Sequence, residues 1–158
     1  MTRTLVCYHS RSGNTKTMAV KIADGARSVG SDVDIKKVAD VSPADLLKYD
    51  CIIMGSPTYY GTCAAELKSL IDKSVKYHGD LAGKVGGAFA TSGVLGGGNE
   101  TTVQQILEAL LIHGMIIVGD TNGAHYGPVA IEKPDKEALK TCFEYGKRLA
   151  ELAEKLHG

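Results

Sequence analysis

Two periodicities alternate from one end of this chain to the other, and that alternation limits how it can fold. Residues 4–8, 33–38, 51–54, 87–90 and 115–118 are short apolar or β-branched runs with the signature of strands. Helical patterns fill the intervals. Met18, Ala19, Ile22, Ala23 and Ala26 recur at three-and-four spacing, with Asn14 or Thr15 placed to cap the start. Ser42-Pro43-Ala44-Asp45 reads as a short helix start, with Pro at the first helical position and Asp45 in the capping-box place. Leu67, Leu70, Ile71 and Val75 mark a third helix, Val103, Ile106, Leu107, Leu110 and Leu111 a fourth. Leu139, Cys142, Phe143, Leu149, Ala150, Ala153 and Leu156 mark a long fifth. Strands and helices in this order predict right-handed crossovers and an α/β fold, a parallel sheet covered on both faces. The third and fifth strands are continuously apolar, as strands buried on both faces should be. The second alternates Val33 and Ile35 with Asp34 and Lys36, which places it at an edge. No linker, repeat or composition shift divides the chain, so residues 1–158 are expected to form one domain.

In an open parallel sheet, ligands bind beyond the carboxyl ends of the strands, near the point where strand order reverses. The glycines gather there. Of 19 in the chain, Gly13 follows the first strand, Gly55 and Gly61 the third, Gly93, Gly96, Gly97 and Gly98 the fourth, and Gly119, Gly123 and Gly127 the fifth. The first loop, His9-Ser10-Arg11-Ser12-Gly13-Asn14-Thr15, sets hydroxyls, an amide and a glycine before a helix start. Free backbone amides there make a nest for a terminal phosphate. A nucleoside triphosphate is disfavoured: Gly79-Asp80-Leu81-Ala82-Gly83-Lys84 is one residue short of a P-loop and precedes a strand. No G-x-G-x-x-G follows the first strand, which disfavours a dinucleotide-binding Rossmann site. The second loop, Gly55-Ser56-Pro57-Thr58-Tyr59-Tyr60-Gly61, holds adjacent aromatics able to border a planar ring. The third, Thr91-Ser92-Gly93-Val94-Leu95-Gly96-Gly97-Gly98-Asn99-Glu100-Thr101-Thr102, is glycine-rich enough for backbone to approach a flat ligand.

Other chemistries are excluded in turn. Lys plus Arg and Asp plus Glu are both 18, so no bulk field holds nucleic acid or an anionic membrane. No apolar run reaches the ~18 residues of a membrane span. Cys7, Cys51, Cys63 and Cys142 have no C-x-x-C spacing, and His9, His78, His125 and His157 have no ligand spacing, so reduced thiols, a cytoplasmic setting and no metal are expected. Without further context, His113 reads as a histidine at a helix end.

Taken together, the three loops resemble those of the flavodoxin-fold FMN proteins, and within them the tryptophan-repressor-binding-protein (WrbA) type of NAD(P)H:quinone oxidoreductases. The marks are Ser10-x-Ser12-Gly13-Asn14-Thr15, the stretch from Gly55 to Gly61, the stretch from Phe89 to Thr102, His113-Gly114-Met115 and Tyr126-Gly127-Pro128. The resemblance implies a flavodoxin-like three-layer sandwich around a five-stranded parallel sheet of order 2-1-3-4-5. It implies FMN phosphate on Ser10, Arg11, Ser12, Gly13, Asn14 and Thr15. The isoalloxazine would lie between Pro57, Thr58, Tyr59, Tyr60 and Gly61 on one side and Thr91, Ser92, Gly93, Val94, Leu95, Gly96, Gly97 and Gly98 on the other. Tyr126 is a candidate to cover the ring, and His113, as the catalytic candidate, would face the flavin pocket, its own or a neighbouring subunit's. Relatives of this type form dimers and tetramers, which implies a homo-oligomer. There are departures: the family's quinone reductases carry an insertion before the third strand, an aromatic where this chain has Ser12, and a Trp near Lys76-Tyr77-His78; this chain has no Trp.

Two functions follow from that resemblance. One is an enzyme that takes hydride from NADH or NADPH through FMN and delivers it to a quinone-like acceptor. The other is a flavodoxin-type one-electron carrier between redox proteins. Carriers of that type are strongly acidic, and a formal charge of zero favours the enzyme.

Overall fold

The computed structural model describes residues 1–158. The elements in chain order are β1 (Arg3–Tyr8), α1 (Asn14–Arg27), β2 (Asp32–Lys37), β3 (Cys51–Tyr59), β4 (Thr62–Cys63), α2 (Ala65–Lys73), β5 (Val85–Ser92), α3 (Asn99–Ile112), β6 (Ile116–Ile117), β7 (Val129–Ile131) and α4 (Lys136–His157). The main sheet runs β2-β1-β3-β5-β6, all parallel, which is the expected 2-1-3-4-5 order. Strand order reverses at β1, which has β2 on one side and β3 on the other.

Each face of the sheet carries its own core. Leu5, Ile52, Met54 and Ala88 point towards α2 and α3, meeting Leu67, Val103 and Ile106. Val6, Ile53, Val85 and Phe89 point the other way, onto Met18, Ile22, Leu149 and Ala153 of α1 and α4. Alternate residues of one strand therefore serve opposite layers, which is why the interior strands are apolar throughout. All eight residues of β5 are buried. The helices α1 and α4 touch at backbone distance: a Cβ on Gly25 would run into the carbonyl oxygen of Phe143, and one on Gly146 into that of Ile22.

The segment after β2 forms short 3₁₀ turns (Val38–Asp40 and Pro43–Lys48), the second starting as expected, with Pro43 in its first turn and Asp45 accepting from the Ser42 amide at 2.9 Å. Three details differ from expectation. The third strand continues to Tyr59, and its expected loop is a hairpin: Tyr60 and Gly61 (φ 49° and 80°) turn the chain back so that β4 pairs with β3. The fourth strand is twice the expected length. The fifth is not buried on both faces. It is split into β6, which pairs with Val85 and Gly86, and β7, which pairs with Ala90, Thr91 and Ser92; Ile116 is exposed at the sheet edge. The stretch of chain between them bulges outward, with the Asp120 amide donating to the His125 carbonyl.

The four cysteines are free and buried, and burial pushes the thiols of Cys7, Cys51 and Cys142 up to about 12. No helix is long and apolar enough to cross a membrane.

Replacing Gly146 by Ala forces α4 away from α1, and overpacking of this kind costs about 1–3 kcal/mol. A lowered midpoint in urea denaturation is the expected result; an unchanged midpoint would show that the two helices have room to spare.

Candidate functional site at the carboxyl ends of β1, β3 and β5

The first loop leaves β1 and enters α1 through Gly13, whose φ of 97° suits glycine and whose Cβ position is open, with nothing within 4 Å. The first amides of a helix have no intrahelical acceptor. Ser10 Oγ accepts from the amides of Gly13 (3.1 Å) and Lys16 (3.3 Å). Those of Asn14 and Thr15 make no hydrogen bond within the chain. Arg11 and Ser12 are exposed, and no acid occupies the first turn of α1. The result is a cradle of free donors at the positive end of a helix dipole, suited to an anion.

Three contacts bind this cradle to the other loops. Thr15 is buried and shares a hydrogen bond of 2.9 Å with Thr91 at the end of β5. Thr101 Oγ1 donates to the Gly61 carbonyl at 2.8 Å, and Thr102 Oγ1 donates to Thr58 Oγ1 at 3.0 Å. At Gly98 (φ 94°) a Cβ would stand 2.8 Å from Gly61 Cα, so the second and third loops meet backbone to backbone. Within the third loop, Ser92 Oγ donates to the Val94 carbonyl and accepts from Asn99 Nδ2. The hairpin is braced from below by Ser56, whose hydroxyl accepts from the Ala64 amide at 2.8 Å, and by Gln105, which accepts from the Cys63 amide at 2.9 Å. Sequence alone assigns no site role to Thr101, Thr102, Ser56 or Gln105. The threonines stand inside the stretch from Phe89 to Thr102, whereas Gln105 gives no sequence signal because its partner lies 42 residues away.

The loops also expose apolar side chains. Tyr60 is fully exposed, and Val94 and Leu95 are 64% and 88% exposed, although large apolar residues in a small domain are mostly covered. Val94 and Leu95 follow Gly93 directly, and the Cβ position of Gly93 is open, with nothing within 4 Å.

The two remaining candidates, Tyr126 and His113, come from other segments. Tyr126 borders a cleft of about 400 Å³ beside α3, with Leu107, Leu111 and Ile117, at the sheet edge. His113 follows α3 at the opposite end of the sheet, one residue before the glycine whose carbonyl accepts from Gly83 just ahead of β5. Seven strand steps of about 3.3 Å separate that end of β5 from Ser92, roughly 23 Å. A single chain therefore does not bring His113 to its own loops. It is buried, and its Nε2 stands 2.7 Å from Ser74 Oγ. Ser74 donates its own proton to the Ile71 carbonyl, so His113 Nε2–H is the donor and the buried Nδ1 is a bare acceptor without a partner.

An open parallel sheet with order reversal at β1, a phosphate-type cradle there, and two backbone-joined loops flanking an apolar opening define a flavodoxin-like ligand-binding domain. Residues 5–114 match the family described as Flavodoxin domain, and the chain belongs to that family. A relative from Archaeoglobus fulgidus named NAD(P)H dehydrogenase (quinone) is 35% identical over 190 aligned positions, covering 99% of this chain and 100% of the relative. Among solved structures, a flavodoxin, WrbA-like protein from Agrobacterium tumefaciens superposes with a TM-score of 0.84 at 29% identity, covering 99% of each chain. A flavodoxin from the domain Archaea superposes with a TM-score of 0.81 at 28% identity, covering 96% of this chain and 99% of the other.

Burial, and then the neighbouring His78 ring 6.1 Å away, hold the His113 imidazole below its ordinary value near 6.5. The unfolded chain then takes up a proton before the folded one does. The stabilisation is complete above about pH 6.5, and it is lost as pH falls from there through the folded-state value. Urea midpoints at pH 7.5 and 5.5 are expected to show this loss in the wild type, and His113→Gln is expected to reduce it.

Proposed function

We propose that the protein is an FMN-dependent NAD(P)H:quinone oxidoreductase, built as a single flavodoxin-like domain over residues 1–158, working in the cytoplasm as a homo-oligomer. The observation that carries this reading is the convergence of three loops on one opening at the order-reversal point, with a phosphate cradle at one side and exposed apolar side chains at the other. The A. fulgidus relative, matched over its whole length, supports the nicotinamide donor and quinone acceptor.

The residues present fit FMN. Its phosphate would be held by the amides of Asn14 and Thr15 and the hydroxyls of Ser10 and Ser12, with the Arg11 charge close by. Its ring system would lie between Tyr59 and Tyr60 on one side and Gly93, Val94 and Leu95 on the other, where the Cβ position of Gly93 is empty and three apolar side chains stand uncovered. When bound, FMN supplies the two-electron relay from reduced nicotinamide to quinone. The chain supplies the rest. Thr15, Thr101 and Thr102 fix the spacing of the three loops, and the backbone of the third loop permits close approach to a flat ring. Val94 and Leu95 exclude water from one side of the opening. Because His113 is a strand length from its own loops, a role for it at a flavin places it at the loops of a neighbouring copy, which is the reason to propose assembly as part of the site.

A one-electron carrier is the second reading. It is favoured by the near end-to-end match to the archaeal flavodoxin, while the quinone-named relative aligns over 190 positions against this chain's 158 residues.

Stopped-flow mixing separates the two. Rapid bleaching of the flavin band by NADH or NADPH, reversed by a quinone, is expected; reduction by a low-potential protein donor alone would replace the enzyme with the carrier. Gly93→Val is expected to weaken FMN binding at least about tenfold, ~1.4 kcal/mol, with little change in the stability of the FMN-free protein, since a Cβ there meets no protein atom within 4 Å.

A further inference from the structure

A cavity of about 790 Å³ lies apart from the opening described above. It lies on the other side of the first loop, between the end of β1, the 3₁₀ turns after β2 and the outer face of α2, and of the FMN-cradle residues it touches only Ser10. Its volume is within the ~300–1,000 Å³ of small-molecule pockets. The floor is apolar: Val38, Val41 and Leu70 are each less than a tenth exposed. The rim is basic. Lys37, at the end of β2, and Lys73, at the end of α2, form no ion pair. The one acid in the lining, Glu66, stands 3.8 Å from His9 Nε2, also in the lining. Polar edges are completed by the hydroxyls of Ser42 and Ser69.

An apolar floor with two uncommitted cations against a single acid, Glu66, which faces the His9 ring at 3.8 Å, selects for a molecule that is apolar at one end and anionic at the other. We propose that this cavity is a second small-molecule site, separate from the flavin cradle, for an amphiphilic organic anion: an apolar body against Val38, Val41 and Leu70 with a carboxylate, sulfonate or phosphate between Lys37 and Lys73. The Lys73 charge also complements the carboxyl end of α2. Lys37 has no such structural role, and it extends from an edge strand beside the opening.

Anilinonaphthalenesulfonate, which has this shape and charge and fluoresces on desolvation, is the probe. Titrated into the protein as purified, it is expected to saturate at one site per chain. Lys37→Glu and Lys73→Glu should each weaken it about tenfold, the loss of one charge-assisted contact, while Lys155→Glu, at the far end of α4, leaves it within about twofold. Ser69→Phe, which fills the cavity from α2, should abolish saturable binding; retained FMN content shows that a silent variant has still folded. Decanoate and adenosine monophosphate are the competitors: displacement by either supports the site and tells a lipid-type anion from a nucleotide. Equal binding by all variants, displacement by neither competitor, or stoichiometric displacement by FMN would overturn the proposal, the last by placing the probe in the flavin cradle.

Discussion

Eight consecutive buried residues in β5 leave that strand no way to meet solvent except at its two ends, and β3 is nearly as enclosed. Helices must then cover both faces, and the loops that line the candidate site are pushed to a rim of the sheet. The carboxyl rim receives the cradle, the hairpin and the glycine-rich loop. Because order reverses at β1, the loops there diverge to opposite layers and leave a gap between them. The same enclosure sets the helix spacing: α1 and α4 reach the sheet side by side only because Gly25 and Gly146 let their backbones touch.

The cradle is suited to an anion although the chain carries no net charge. Its positive character comes from uncapped amides and from Arg11, both local, while the chain as a whole sums to zero. Order in the three loops rests on hydroxyl-to-hydroxyl and hydroxyl-to-carbonyl contacts by threonine. These hold spacing without placing a charge near the opening.

Strand and helix positions along the main sheet were legible because apolar periodicity records burial directly. Legibility failed where burial was not the deciding factor. Residues 115–118 are as apolar as residues 51–54, but one run lies at an edge and the other in the middle, and nothing in composition distinguishes them. In the hairpin at Tyr60 and Gly61, Pro57 and Gly55 suggest breaks, whereas β4 pairing and Ser56 carry the strand through. The candidate cradle is local in sequence, so its spacing is visible in the chain. The surroundings of His113 and Tyr126 depend on which end of the sheet α3 reaches and on the path between β6 and β7, which local spacing does not record.

The buried cysteines have a chemical consequence. Reduced flavins in water react with dioxygen and release peroxide, and peroxide attacks thiolates, not thiols. With three thiols pushed to about 12 and Cys63 also raised by its burial in the hairpin, almost no thiolate exists in this fold at neutral pH. A domain that handled electrons at its rim would keep its own sulfur atoms in a form that by-products of that traffic scarcely oxidise.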